Sequence, residues 1–164
     1  MNIEEQVAQL FEETRSDVYR YLVTLGLDPG QAQEAAQDVY LRLYVALKKA
    51  DDIRNLRAWI FRVAHNLGVR LRSRESTWRP LDPELEARLP DPGENPERIA
   101  IERQQKLCLQ RAVHTLSPQQ QQCLYLRAEG FRYREIASIL GISDSSVGEF
   151  LRRAIARLRE ATHE

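Results

Sequence analysis

REIASILGISDSSVGEFLRRAIARLR, Arg134 to Arg159, is the stretch that decides the fold of this 164-residue chain. Apolar residues recur at helical spacing on both sides of Leu140-Gly141-Ile142-Ser143, so one helix stops there and a second starts at once. Gly141 can take the left-handed conformation that closes a helix without a Cβ penalty. Ser143 is a good N-cap for the second helix, and Asp144 puts negative charge at the positive end of that helix. Ala137 is small where two crossing helices approach, and Ile142 and Val147 fill the angle between them. This spacing predicts a helix-turn-helix, whose second helix enters the DNA major groove. An ordinary helical hairpin inside an all-α core is the reading these residues alone leave open.

Working outward, the rest of the chain is helical in pattern with one interruption. Val7, Leu10 and Phe11, then Val18, Tyr21 and Leu22, then Val39, Leu43 and Leu47 recur with a 3.6-residue period. Asp28-Pro29-Gly30 is a break, with the proline suited to a first helical turn. Residues Glu75 to Glu97 differ in kind, holding five of the seven prolines, seven acids and only two arginines. That composition opposes a regular helix and predicts an extended acidic linker. Helical periodicity returns at Arg98, with Ile101, Leu107, Leu109 and Val113 expected to be buried. Ser117-Pro118-Gln119-Gln120 is a helix start with a capping box, and Gly130 is placed to close that helix. The expected fold is all-α: two small helical domains, 1–74 and 98–164, joined by the acidic proline-rich linker 75–97, with the helix-turn-helix in the second.

Net charge is zero, with 24 basic and 24 acidic residues, but the distribution is uneven. Six arginines and no acid lie between Ile53 and Arg74, and four arginines and no acid between Phe150 and Arg159. Basic stripes in a neutral chain mark polyanion contacts more reliably than the total does. On the first stripe Arg62, Asn66 and Arg70 share a face roughly opposite Ile60, Val63, Leu67 and Leu71, which are expected to be buried. Arginine bridges phosphates and asparagine reads base edges. Trp59 and Phe61 lie among these residues; aromatic rings beside arginine suit unpaired bases, while core packing is the plainer role for Trp59.

Cys108 and Cys123 lack metal-ligand neighbours at useful spacing, so two buried thiols in a reducing cytosol are expected. The acidic N-terminus is no signal peptide and no run approaches a membrane span, so a cytoplasmic protein without membrane insertion is expected. No nucleophile–base pair, metal cluster or phosphate-binding glycine loop is present, which predicts no enzyme, no metal and no cofactor.

QAQEAAQDVYLRLYVAL (Gln31–Leu47), RAWIFRVAHNL (Arg57–Leu67) and LSPQQQQCLYLRAEGFRYREIASILGIS (Leu116–Ser143) resemble, in order, the motifs of extracytoplasmic-function sigma factors. These are two-region bacterial initiation factors that keep only sigma regions 2 and 4. The resemblance implies core RNA polymerase, promoter DNA and an anti-sigma factor as partners. Gln37, Asp38 and Arg42 match the part of region 2 that docks on the β′ coiled coil. Arg54, Asn55, Arg57, Trp59, Arg62, Asn66 and Arg70 fall where the −10 element is read and melted. Region 4 also packs on the β flap, and Ser145, Ser146, Glu149, Arg152, Arg153 and Arg157 fall on its −35-facing helix. The linker would run toward the active-site and RNA-exit path.

Departures are local. The family commonly carries lysine or arginine within the three positions after Val147; here stand Gly148, Glu149 and Phe150. Glu149 would accept a hydrogen bond from cytosine N4 or repel phosphate, and Phe150 is expected to broaden the buried face. Arg132 stands where a capping serine or threonine is usual. A helix-turn-helix regulator binding duplex operators without polymerase is the alternative function, and a protein-interaction module the third.

Overall fold

The computed structural model describes residues 2–74 and 95–162, and among these every regular element is an α-helix. The helices are α1 (Ile3–Thr24), α2 (Pro29–Lys48), α3 (Leu56–Arg74), α4 (Pro96–His114), α5 (Pro118–Ala128), α6 (Tyr133–Leu140) and α7 (Asp144–Thr162). The linker expected at 75–97 lies outside the described residues up to 94. Asn95 already caps α4 through its side chain, so that helix begins at Pro96 rather than Arg98.

Local chemistry sets the helix ends. Asp28 and Gln31 form a reciprocal capping box at the start of α2, with Pro29 in its first turn. Ser117 and Gln120 do the same for α5, beside Pro118. Two orphan N–H groups are satisfied at each start. Gly130 (φ 95°) and Gly141 (φ 71°) close α5 and α6 in the left-handed region, where other residues are strained.

α1, α2 and α3 pack on one another around Val18, Leu22, Val39, Leu43 and Ile60, all without solvent exposure. α5, α6 and α7 pack around Leu126, Ile136 and Val147. These two groups are not separate in space: α3 lies against α6 and α1 against α5, and one apolar core runs through both. α3 is therefore covered on two sides, which widens its buried stripe. Phe61, Ala64, His65 and Gly68 are buried beside Ile60 and Leu67, whereas Val63 and Leu71 are only partly covered. At Gly68 an added Cβ would stand 2.6 Å from Leu25 Cδ1, so the glycine lets α3 approach the α1 end closely.

Two expectations of burial fail. On α4 only Ala112 is buried; Ile101 and Leu109 are exposed, and Leu107 and Val113 partly so. Among the described residues that helix packs mainly against α7, so most of its circumference faces outward. Cys108, on the same helix, is exposed for the same reason, while Cys123 in α5 is buried and its thiol is pushed up to about 11 by desolvation.

Candidate nucleic-acid interface

The turn between α6 and α7 is built as its residues require. Gly141 N–H donates to the Ala137 carbonyl at 2.8 Å, as does Ile142 N–H at 3.1 Å. Ser143 Oγ accepts from Ser146 N–H at 3.1 Å and starts α7. Ala137 and Val147 are buried at the crossing, with Ile142 half-buried beside them. Arg132 caps α6 without its side chain: Glu135 reaches back to the Arg132 N–H at 2.8 Å.

On α7, Ser145 and Ser146 sit at the N-terminal end, each with its hydroxyl against Ser143 Oγ, at 3.2 and 2.8 Å. One turn on, the Glu149 carboxylate accepts from Arg152 Nη2 at 2.7 Å and Nε at 3.1 Å, and from Arg153 Nε at 2.8 Å. Those hydrogen bonds hold the Glu149 carboxyl below its ordinary range. Arg157 is exposed and makes no ion pair among the described residues. Phe150 is half-buried and packs on the core. A Cβ at Gly148 would meet Tyr133 at 3.7 Å, an ordinary contact, so no neighbour within the chain requires glycine there.

The first basic stripe divides in two. Arg62, Asn66 and Arg70 are exposed and line a cleft of about 510 Å³, closed on its far side by Ser138 to Gly141 at the end of α6. Asn55 and Arg57, by contrast, tie the two helical groups together. Asn55 Oδ1 accepts from Ala58 N–H at the start of α3, and its Nδ2 donates to Glu135 on α6. Arg57 Nη2 donates to Glu129 Oε2 at 3.0 Å, and its guanidinium lies 4.4 Å over the Phe131 ring. Arg54 is exposed, and Trp59 is half-buried against the core.

Phe61 corrects the reading that placed it on a base-stacking surface. It is wholly buried, edge-on to Phe131 at 5.1 Å and to Tyr21 at 5.8 Å. Tyr21, also buried, hydrogen-bonds His65 Nδ1 at 2.8 Å, and Tyr125 donates to the Asp17 carbonyl at 2.9 Å. Burial pushes His65 down to about 4, so the imidazole is neutral at pH 7. Desolvation, with the nearby Asp17 charge, raises Glu129 above its ordinary range, against the opposing pull of Arg57.

A third surface lies on the outer side of α2. Gln37, Asp38 and Arg42 stand together there, Asp38 paired with Arg42 at 3.4 Å. Leu41 and Val45 project between them, 66% and 49% exposed.

Two family profiles account for this layout. Sigma-70 region 2 matches residues 10–77 and Sigma-70, region 4 matches residues 106–158, in one chain and in that order. The chain belongs to the sigma-70 family, in its extracytoplasmic-function branch. It is similar to the ECF RNA polymerase sigma factor BldN of Streptomyces coelicolor, 27% identical over 92% of this chain and 58% of the relative. Against the ECF RNA polymerase sigma factor RpoE of Cereibacter sphaeroides it is 28% identical, over 96% of this chain and 86% of the relative. The chain thus spans little more than half of the first relative's length and most of the second's. Among solved structures it shares the fold of the sigma factor RpoE complexed with the anti-sigma factor NepR from Bartonella quintana. That likeness has TM-score 0.68 and 18% identity, over 97% of this chain and 98% of the other.

In family terms, region 2 comprises most of α1 with α2 and α3, and region 4 runs from within α4 into α7. Periodicity and motif spacing did not single out Glu129, Phe131 and Glu135 as partners of region 2. Each sits in a stretch that matches region 4 on its own terms, and a partner 72 or 80 residues away leaves no local trace. His65 was equally silent, since one histidine in a helical pattern carries no sign of its burial.

Proposed function

We propose that this sigma factor directs bacterial core RNA polymerase to specific promoters and assists promoter opening for initiation. Residues 1–74 act as the lobe for core polymerase and the −10 element, and residues 98–164 as the lobe for the −35 element. The observation that carries the reading is the α2 face. Leu41 and Val45 stay exposed beside Gln37, Asp38 and Arg42 although the helix has ample core to pack against. Apolar side chains kept outward among charged ones mark a partner surface. A β′ coiled coil is the partner that this position in region 2 implies. A regulator that binds operators without polymerase has no use for that face, and is not favoured.

The proposed promoter contacts divide between the two helical groups. Arg62, Asn66 and Arg70 meet the −10 region with Arg54, and Asn55, Arg57 and Trp59 join them once α6 moves off α3. Ser145, Ser146 and Glu149 lie at the groove end of α7, with Arg152, Arg153 and Arg157 along the phosphates. Ile101 and Leu109 on α4 and Ile155 on α7 leave apolar surface for the β flap. An anti-sigma factor is the expected inhibitor, as in the Bartonella complex. Catalysis belongs to the polymerase, and the chain works where the polymerase does, in the cytoplasm. No helix among the described residues is long and apolar enough to cross a membrane.

The test is gel filtration of the full chain with core enzyme. Wild type co-elutes; Asp38→Lys combined with Gln37→Ala does not, while its helical circular dichroism is unchanged. Undiminished co-elution of that variant removes the assignment of the α2 face.

A further inference from the structure

We propose that Glu149 is a positioning residue that withholds Arg152 and Arg153 from phosphate, so that these two arginines add their grip only where the duplex displaces its carboxylate. The inference rests on the reading of α7 as the −35-facing helix. Three hydrogen bonds of 2.7 to 3.1 Å converge on this one carboxylate from two arginines, at i+3 and i+4. Glu149 is the only acid between Ser145 and Arg159, a stretch that carries four arginines. Without it, the helix would present an unbroken guanidinium row to any polyanion. With it, two of the four cations are already answered.

The strength of this hold follows from exposure. The side chains of Arg152, Arg153 and Glu149 are 70%, 61% and 42% exposed, so water and salt screen the pairs. Exposed pairs of this spacing are weak, and a correctly seated phosphate competes with them successfully. The carboxylate therefore tunes affinity and does not block it. It also fixes the guanidinium planes through bidentate contact with Arg152, which orders a side chain that would otherwise sample many rotamers. The consequence is discrimination. A sequence whose groove shape brings phosphates to both arginines gains two contacts, whereas a poorly fitting one meets a helix whose charge is partly cancelled. Arg157 supplies an internal comparison, since it is exposed and has no ion-pair partner among the described residues.

The experiment uses the full-length chain and a fluorescein-labelled random-sequence duplex, with anisotropy titrations between 50 and 200 mM KCl. Each phosphate contact contributes a slope of about 0.9 in log–log salt dependence, or roughly a 3.5-fold loss of affinity across that range. In wild type, Arg157→Ala lowers the slope by about one unit and Arg153→Ala by clearly less. Glu149→Gln, which keeps shape and removes charge, binds the random duplex about 3- to 10-fold tighter with a slope steeper by one to two units. In the Glu149→Gln background Arg153→Ala costs as much as Arg157→Ala. Without DNA, the Arg152 and Arg153 Nε–H protons exchange with solvent faster in Glu149→Gln than in wild type. If Glu149→Gln matches wild type in affinity, slope and exchange while Arg157→Ala still weakens binding, the clamp is wrong and the DNA reading of α7 survives. If the triple change Arg152→Ala, Arg153→Ala, Arg157→Ala leaves duplex binding untouched, both fall together.

Discussion

Arg57 shows how much one side chain carries in this molecule. The basic stripe marks it as a phosphate ligand, yet its guanidinium lies between a carboxylate and an aromatic face of the other helical group. Partly covered pairs of this kind couple by about 1 kcal/mol. A double-mutant cycle with Arg57→Ala and Glu129→Ala, read by urea unfolding, should return that coupling; a value near zero would mean the contact is incidental. His65 gives a second residue-scale outcome. Its folded value near 4 lies below the ordinary histidine value of 6.5. The folded state therefore binds fewer protons between those values. The stability tied to neutral His65 is complete above about pH 6.5 and is lost progressively as pH falls toward 4, by up to about 3 kcal/mol. Glu129, raised by desolvation, contributes in the opposite sense, gaining stability as pH falls. His65→Gln should accordingly flatten the acid limb of the stability profile between pH 6.5 and 4.5, and an unchanged limb would show that another group controls it.

Helices and their ends were nearly all legible in the sequence, because capping and turn chemistry act within a few residues. Ser117 with Gln120, the Asp28-Pro29-Gly30 break, and Gly141 with Ser143 each declare an end that the structure contains, and Gln31 adds a capping partner to Asp28 that the sequence reading did not name. Removing the Ser143 hydroxyl with alanine should cost about 1 kcal/mol in thermal or urea unfolding. Gly148 makes a sharper case. Its only near neighbour would be Tyr133 at 3.7 Å, so Gly148→Ala should stabilise the chain by about 0.5–1 kcal/mol through helix propensity. If duplex affinity falls in the same variant, the glycine serves close approach of DNA to the α7 backbone. A destabilised variant would contradict the described packing. What could not be read at this scale was which face of a helix is covered when partners come from both sides. α3 acquired a second covering from α6, and α4 lost the one that its apolar residues suggested.

At the scale of the whole molecule, the two helical groups share a core through Phe61, Phe131, Tyr21 and Tyr125. Motif order identified both groups, but their mutual packing rests on pairs more than 70 residues apart, such as Asn55 with Glu135, which periodicity does not encode. In this arrangement α6 stands beside the Arg62, Asn66 and Arg70 face of α3, and the outer face of α2 remains open. On the proposed reading, core polymerase engages α2, and the promoter-facing residues of α3 are uncovered when the two groups separate. Promoter recognition by this chain, on the same reading, belongs to its complex with core RNA polymerase. Run-off transcription over a promoter library from the source genome, with purified core enzyme and the full chain, tests it most directly. Discrete start sites that require both components are expected, and their loss with Asp38→Lys and Gln37→Ala together. Duplex operators bound tightly and selectively by the chain alone, with no transcripts added to those of core enzyme, would contradict it.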